Sequence, residues 1–489
     1  MAASSSSRSP KSKSFELAGL APAVTQFVDI STVHAAASAP PRGVTRVEYN
    51  VARIALSLGA RLVRFDDKLQ RFAAASLPAD FGRARDEIRL ILEETPRMRA
   101  PLLRRRALGK TRRLGEALAK SAADLHAETG PAREELAWLL AYNYEFFAAA
   151  ERLELASLAH ALEPQALCHK FNYWVIAERG KRSRSKDAAA LEPITFSSGD
   201  KLLSLGAIWE PKYIDSLEAL AARGVAVVAL IYDMIPLTHA SFLPAEEIHR
   251  FKNYLDRMLK SRIRLTTISH SSEREISRYA GEVLGLHKEI AVTPLASSVS
   301  AQPGTASRRF LDGGLPHSAF VLMTGSFEPR KNQKFVLDIW RTVVPRLDDP
   351  PALVFAGGLA NASYLQELRD EARDLKRVLF FFNVDDQELA WLYENCLFTI
   401  FPSEAEGWGL PITEALDHGK YCLASDNTSL REAGAGLVFH ADLKDKAAWT
   451  RELDELLREP QALERRAARI REYHRPRSWA DVACAMLAL

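Results

Sequence analysis

Cysteine is scarce in this chain. Its 489 residues hold four, Cys168, Cys396, Cys422 and Cys484. No two are spaced as Cys-x-x-Cys, and no His/Cys cluster has metal-ligand spacing, so a structural zinc site is not expected. Cys396 and Cys422 stand in apolar runs and read as buried thiols of a reducing compartment. Long apolar runs are also missing: none reaches the ~20 residues of a membrane-spanning helix. The opening "MAASSSSRSPKSKSFELAGLAPAV" is Ser- and Lys-rich, and its short apolar stretch carries Glu16. Residues 1–23 therefore read as a disordered leader and not as a signal peptide. Together these absences predict a cytoplasmic protein, with peripheral contact at the inner face of the plasma membrane as the one membrane option. Excess charge of one sign is lacking too. The formal net charge is +3, so the whole molecule is not built to bind polyanions and any basic surface is local.

What is present is length and alternation. A chain of 489 residues exceeds a single core and predicts two or three domains. "TQFVDIST" is a short β-rich run. The helical spacing of "VTRVEYNVARIALSLGARLVRF" then ends in a second strand-like run at Phe65, a β-loop-α-β opening. Residues from about 75 to 190 are rich in Ala, Leu, Arg and Glu with little β signal, which predicts an α-helical insertion. It contains the basic run Arg97 to Arg113 and a second basic segment, Glu178 to Asp187. Strand and helix then alternate again through "LLSLGAIW", "PKYIDSLEALAARG", "VAVVALIYD" and "RLTTIS". Residues 301–318 have linker composition. Beyond them, "FVLMTGS", "ALVFAGG", "VLFFFN", "LFTIFPS" and "YCLAS" read as strands separated by helices. The expected class is α/β: two Rossmann-like doubly wound domains facing a cleft, residues 24–300 and 319–470, with ligands outside the C-terminal strand ends.

Two stretches at such strand ends carry chemistry. In "FPSEAEGWGLPITEALDHG", Glu406 follows a strand, Gly407 and Gly409 permit close backbone approach, and Pro411 suits the first helical position. Free N–H groups around Leu410 to Thr413 would make an anion site, with Glu414 behind it. A phosphorylated, hydroxyl-rich ligand would use all of these. For Glu414, favourable placement near a helix start is an equal alternative. In "TGSFEPRKNQ", Arg330 and Lys331 precede a helix, and two cations beside free N–H groups suit a diphosphate, although a solvated basic turn has the same composition.

"EPRKN", "VFAGG", "FPSEAEGWGLPITEALDHG" and "SDNTSLREAGAG", in that order, resemble the C-terminal donor domain of retaining glycosyltransferases of family 4, which have the GT-B fold. The Glu-x7-Glu signature falls on Glu406 and Glu414, and the resemblance runs from about Val321 to the C-terminus. "YDMIPLTHASF" resembles a "YDLIP" segment of bacterial polysaccharide mannosyltransferases, and "RGVTRVEYNV" resembles their N-terminal "GI-x-RV" loop. The resemblance implies that Arg330 and Lys331 hold the donor diphosphate and that Glu406 contacts the sugar hydroxyls. Gly325 and the backbone of Gly407, Trp408, Gly409 and Leu410 would lie alongside, with Glu414 on the nucleotide ribose. Gly43 would sit near the reaction centre, Tyr232 and Asp233 would line the cleft from the other lobe, and Asn427, Ser429 and Glu432 would follow the next strand. Residues 471–489 would form a helix crossing back to the first domain, anchored by Trp479.

Departures from the pattern are Ser326, where many relatives have Arg, Tyr232 in place of His, and Arg431 in place of Pro. His239 reads equally as a structural or an acceptor-side residue. The implied partners are a nucleotide sugar, GDP-mannose by the Tyr232–Pro236 segment, and a saccharide or lipid-linked saccharide acceptor, with no cofactor and no metal. The Arg97–Arg113 run offers contact with an anionic membrane, or else a solvated helix face. A scaffold that binds nucleotide sugar without turnover is the alternative from another class. A nucleic-acid role is disfavoured because the basic segment lacks interleaved aromatics.

Overall fold

The computed structural model describes residues 24–35, 43–78, 192–297, 310–311, 315, 319–358, 360, 362–382 and 384–489. The expected leader, nearly all of the helical insertion and both basic segments lie outside the described residues.

The first sheet contains β1 (Gln26–Asp29), β2 (Arg61–Asp66), β3 (Arg71–Ala74), β4 (Lys201–Ser204), β5 (Ala226–Leu230), β6 (Arg264–Thr267) and β7 (Ile290–Val292). Their order is β3-β2-β1-β4-β5-β6-β7, and every pairing is parallel except β2 with β3. The sequence reading stopped at Phe65 and did not anticipate β3. It forms because Asp66 Oδ1 accepts the N–H groups of Lys68 and Leu69, each at 2.9 Å, and Gln70 adopts a φ of 52°, closing a hairpin.

The second sheet contains β8 (Phe320–Thr324), β9 (Ala352–Gly357), β10 (Val378–Phe382), β11 (Thr399–Phe401), β12 (Cys422–Ser425) and β13 (Phe439–Ala441). Its order, β10-β9-β8-β11-β12-β13, is parallel throughout, and β8 and β9 are buried along their whole length, as two-sided helix cover requires. The strand order reverses between β8 and β11. The loops after these two strands therefore flank the crevice where open α/β sheets bind ligands. Gly357 lets β9 leave the sheet against its neighbour, since a Cβ there would stand 1.7 Å from the Gly325 carbonyl oxygen. The architecture is the two-lobed α/β GT-B fold.

Three apolar clusters hold the lobes. One fills the second lobe around Trp340, Phe355, Phe398 and Trp449. Phe310 and Leu315 belong to it, with the Phe310 ring 4.8 Å from Phe381 and 5.3 Å from Trp391. The segment 301–318 is thus not merely a linker: two of its apolar side chains are second-lobe core. Another cluster lies on one face of the first sheet around Leu202, Val227, Leu255 and Met258. The third joins Val28, Val51 and Leu203 to Trp479, Val482 and Met486. The last helix, Trp479–Ala488, accordingly packs on the first lobe, and Lys201 Nζ donates to the Leu487 carbonyl at 2.6 Å.

The chain passes between the lobes after Ser297 and again after His474, and both residues meet Asp417. Ser297 Oγ donates to one carboxylate oxygen, and His474 Nε2 lies 2.5 Å from the other. On a different edge, Glu432 of the second lobe accepts the N–H groups of His270 (2.8 Å) and Ser271 (2.7 Å), capping the first-lobe helix His270–Leu284. Cys396 and Cys422 are buried free thiols pushed up to about 12 by burial, and Cys484 is exposed. Among the described residues, no helix is long and apolar enough to cross a membrane.

Candidate active site

The loop after β8 turns at Gly325 (φ 142°), forms a short 3-10 turn Pro329–Lys331, and enters the helix Gln333–Val343 through Asn332 at φ 62°. Arg330 and Lys331 are thereby delivered to the strand-end crevice. The loop after β11 brings Glu406 to the same place. Lys331 Nζ lies 2.5 Å and the Arg330 guanidinium 3.1 Å from Glu406 Oε1, which also accepts from Ser403 Oγ at 2.6 Å. Arg330 further donates to the Ala405 carbonyl at 2.6 Å and to Glu328 at 2.8 Å. Burial works against the Glu406 charge, but Lys331 and Arg330 outweigh it and hold the carboxyl at about 2.

A third loop, after β12, fixes the second. Asn427 Nδ2 donates to the carbonyls of Ser403 (3.0 Å) and Glu404 (2.6 Å), and Ser429 Oγ to those of Glu406 and Trp408, both at 2.8 Å. Thr428, at φ 44°, accepts the Glu406 N–H at 3.1 Å. These side chains reach backbone, so their contribution is the shape of the Glu406 loop.

Asp233 faces this cluster from the first lobe. A Cβ on Gly407 would stand 2.8 Å from Asp233 Oδ2 and 3.1 Å from the Tyr232 carbonyl, so the glycine is what lets the lobes approach. Burial raises the Asp233 carboxyl to about 6, against the opposing pull of the Ile235 N–H and of Arg330. The Tyr232 hydroxyl donates to the Leu205 carbonyl at 2.8 Å, so the ring ties two first-lobe loops together. His239 is engaged by its neighbours, with Thr238 Oγ1 at 2.9 Å and the Phe242 ring parallel to its own. Gly43 precedes the helix Val44–Ser57 at φ 50° with open space where a side chain would be.

Glu414 is separated from Glu406. It lies in the helix Leu410–Asp417, is 4% exposed, and binds Arg46 of the first lobe at 3.0 Å and the Tyr393 hydroxyl at 2.9 Å. Burial raises its pKa although Arg46 opposes the rise. Pro411 occupies the second helical position instead of the expected first. The amide site expected over Leu410 to Thr413 is narrower than the sequence implied: Pro411 has no N–H, and the Ile412 N–H donates to the Gly409 carbonyl at 3.0 Å. Trp408 and Leu410 pack against the first-lobe cluster, so both also serve as interlobe contacts. The sequence assigns no role to Arg46, Asp386 or Tyr393: the Arg46 contacts cross 368 and 340 positions, and Tyr393 reaches Glu414 across 21.

Residues 314–475 match the family model of glycosyl transferases, group 1. The matched region contains Arg330, Lys331, Glu406 and Glu414, and it spans the whole second sheet. Over 243 residues, 46% of this chain, the sequence is 26% identical to the serotype-specific mannosyltransferase WbdA of Escherichia coli and covers 29% of it. It is 26% identical over 217 residues to the O-antigen chain mannosyltransferase B of Escherichia coli, covering 43% of this chain and 56% of that one. It is 29% identical over 129 residues, 23% of this chain, to the alpha-1,3/1,6-mannosyltransferase ALG2 of Dictyostelium discoideum, of which it covers 31%. The chain therefore spans less than two thirds of each of these relatives. Among solved structures, the trehalose-6-phosphate phosphatase N-terminal domain of Candida albicans aligns over 95% of this chain and 96% of its own, with a TM-score of 0.51 at 11% identity, a likeness of fold.

Proposed function

We propose that this protein is a retaining glycosyltransferase of family 4 that moves mannose from GDP-mannose to a saccharide or lipid-linked saccharide during cell-surface polysaccharide or lipopolysaccharide synthesis. The observation that carries the reading is the convergence of Arg330, Lys331 and Glu406 at the switch point of the second sheet, inside the matched region, with Asp233 opposite. The choice of mannose draws on the names of the relatives and on the "YDMIP" segment.

In this reading the acceptor oxygen bonds to the anomeric carbon as the bond from that carbon to the diphosphate oxygen breaks. The departing phosphate takes the acceptor proton on the same face. Arg330 and Lys331 stabilise the negative charge building on the diphosphate, and no metal is invoked. Glu406 holds these cations in place and contacts the sugar hydroxyls. The backbone of Gly325 and of Gly407 to Leu410 approaches the donor, Gly43 lies near the reaction centre, and Glu414 receives the ribose. Asp233 meets the sugar from the acceptor side. Peripheral contact with an anionic membrane would bring a lipid-linked acceptor to the cleft.

Thermal stabilisation by a panel of nucleotide sugars tests the donor, since ligand bound to the folded state raises Tm. GDP-mannose and GDP are expected to stabilise, and GDP-mannose to be turned over with an O-antigen-type mannoside acceptor. Stabilisation by uridine sugars alone would reassign the donor. Stabilisation by none would remove the reading.

A further inference from the structure

The two lobes meet at a charged contact placed on the residue assigned to the ribose. Arg46 sits in the first turn of the helix Val44–Ser57, three positions after Gly43. One guanidinium nitrogen donates to Glu414 at 3.0 Å and another to Asp386 at 2.6 Å, both across the cleft. The far oxygen of Glu414 accepts from Tyr393, whose hydroxyl also meets Thr324 at 2.8 Å inside the second lobe. Tyr393 thus backs the carboxylate from within its own lobe, while Arg46 covers it from the other. The Glu414 side chain is 5% exposed, Arg46 12% and Asp386 48%.

We propose that Arg46 and the ribose diol of a bound nucleotide are alternative partners of Glu414, which makes Arg46 the residue through which the first lobe responds to donor occupancy. The proposal rests on the assignment of Glu414 to the ribose. A vicinal diol that donates to Glu414 must take the side of the carboxylate now covered by Arg46. The forked guanidinium makes the exchange inexpensive: it releases Glu414 and keeps Asp386, which is half open to solvent, so no buried cation is stranded. Because Arg46 lies one turn from Gly43, the exchange acts on the helix start that faces the proposed reaction centre. Arg46 is thus a positioning residue that reads the nucleotide through Glu414.

The test is calorimetric titration of the full chain with GDP and with 2′,3′-dideoxy-GDP, which lacks the diol, in wild type, Arg46→Met and Asp386→Asn. Arg46→Met is expected to bind GDP about five-fold more tightly, the scale of one ion pair that no longer needs breaking, with the dideoxy analogue unchanged. Asp386→Asn removes the fallback partner at an exposed position and is expected to weaken GDP binding, again without effect on the analogue. Opposite signs in the two variants, confined to the ligand with the diol, would not arise from structural damage. Equal or weaker GDP binding by Arg46→Met, or parallel shifts for both ligands, overturns the proposal. If wild type binds neither ligand, the ribose assignment itself fails and the proposal fails with it.

Discussion

The ammonium of Lys331 lies 2.5 Å from the Glu406 carboxylate and 5.3 Å from the centre of the Phe401 ring. Strand β11 therefore supplies both the aromatic face and, through its loop, the anion that hold this cation in the crevice. Arg330 shares the same carboxylate oxygen. An arriving diphosphate would meet a cation pair already arranged, with the organising carboxylate beside it.

Glu406→Gln keeps the shape and removes the charge. Transfer from the nucleotide sugar is expected to fall by about 100-fold or more, the scale of losing one element of a preorganised electrostatic site. Tm should fall as well, because the buried Lys331 and the partly buried Arg330 lose their shared partner. Initial rates beside a thermal melt check both, and a variant with wild-type kcat would remove Glu406 from the site.

The carboxyls of the two lobes titrate in different ranges. Glu406, held at about 2, stays ionised across any working pH, whereas Asp233, raised to about 6 mainly by burial, does not. If the Asp233 carboxylate serves the acceptor, activity should rise with pH through about 6 and Asp233→Asn should lack that limb. The stability effect has a definite sign. A carboxyl whose folded pKa is raised favours the folded state below its unfolded pKa of ~4 and loses that contribution as pH rises toward 6. Asp233→Asn should therefore have a higher Tm than wild type at pH 8 and no advantage at pH 4. Melts at both pH values decide.

Gly407→Ala places a methyl against Asp233 Oδ2 and the Tyr232 carbonyl, at the 2.8 and 3.1 Å separations that glycine permits. Both contacts belong to the opposite lobe. Activity should drop by an order of magnitude or more while each lobe stays folded, as seen by rate assays alongside circular dichroism. A fully active variant would show that the lobes work further apart.

Glu432→Ala uncovers the N–H groups of His270 and Ser271. The expected cost is about 1–2 kcal/mol, as for the loss of a helix cap, read as a lower urea midpoint. An unchanged midpoint would mean that water replaces the carboxylate at no cost.

How much could be read in advance follows from how local each feature is. The second sheet was legible because its buried strands are continuous apolar runs punctuated by helix starts and stops. Strand β13 escaped because Phe439–Ala441 is short and mostly half-buried, leaving no pattern to see. Strand β3 escaped because an antiparallel return inside a parallel sheet is set by the Asp66 turn. Arg330, Lys331 and Glu406 were legible because each adjoins a strand end, and a parallel sheet gathers such ends on one edge. The Arg46–Glu414 pair joins residues 368 positions apart, and no spacing rule reaches that far. Tyr393 lies in no motif, and what marks it is its hydroxyl contact with Glu414.

Asp417 closes the helix Leu410–Asp417, whose opposite end begins at the Gly407–Gly409 turn. The same carboxylate holds Ser297 of the first lobe and His474, which follows the helix Pro460–Tyr473. Eight residues thus link the carboxylate that holds Ser297 and His474, at one end, to the glycine turn that meets Asp233, at the other. A tilt of one lobe on the other that moved Ser297 or His474 would load the same helix that sets the Gly407–Gly409 turn.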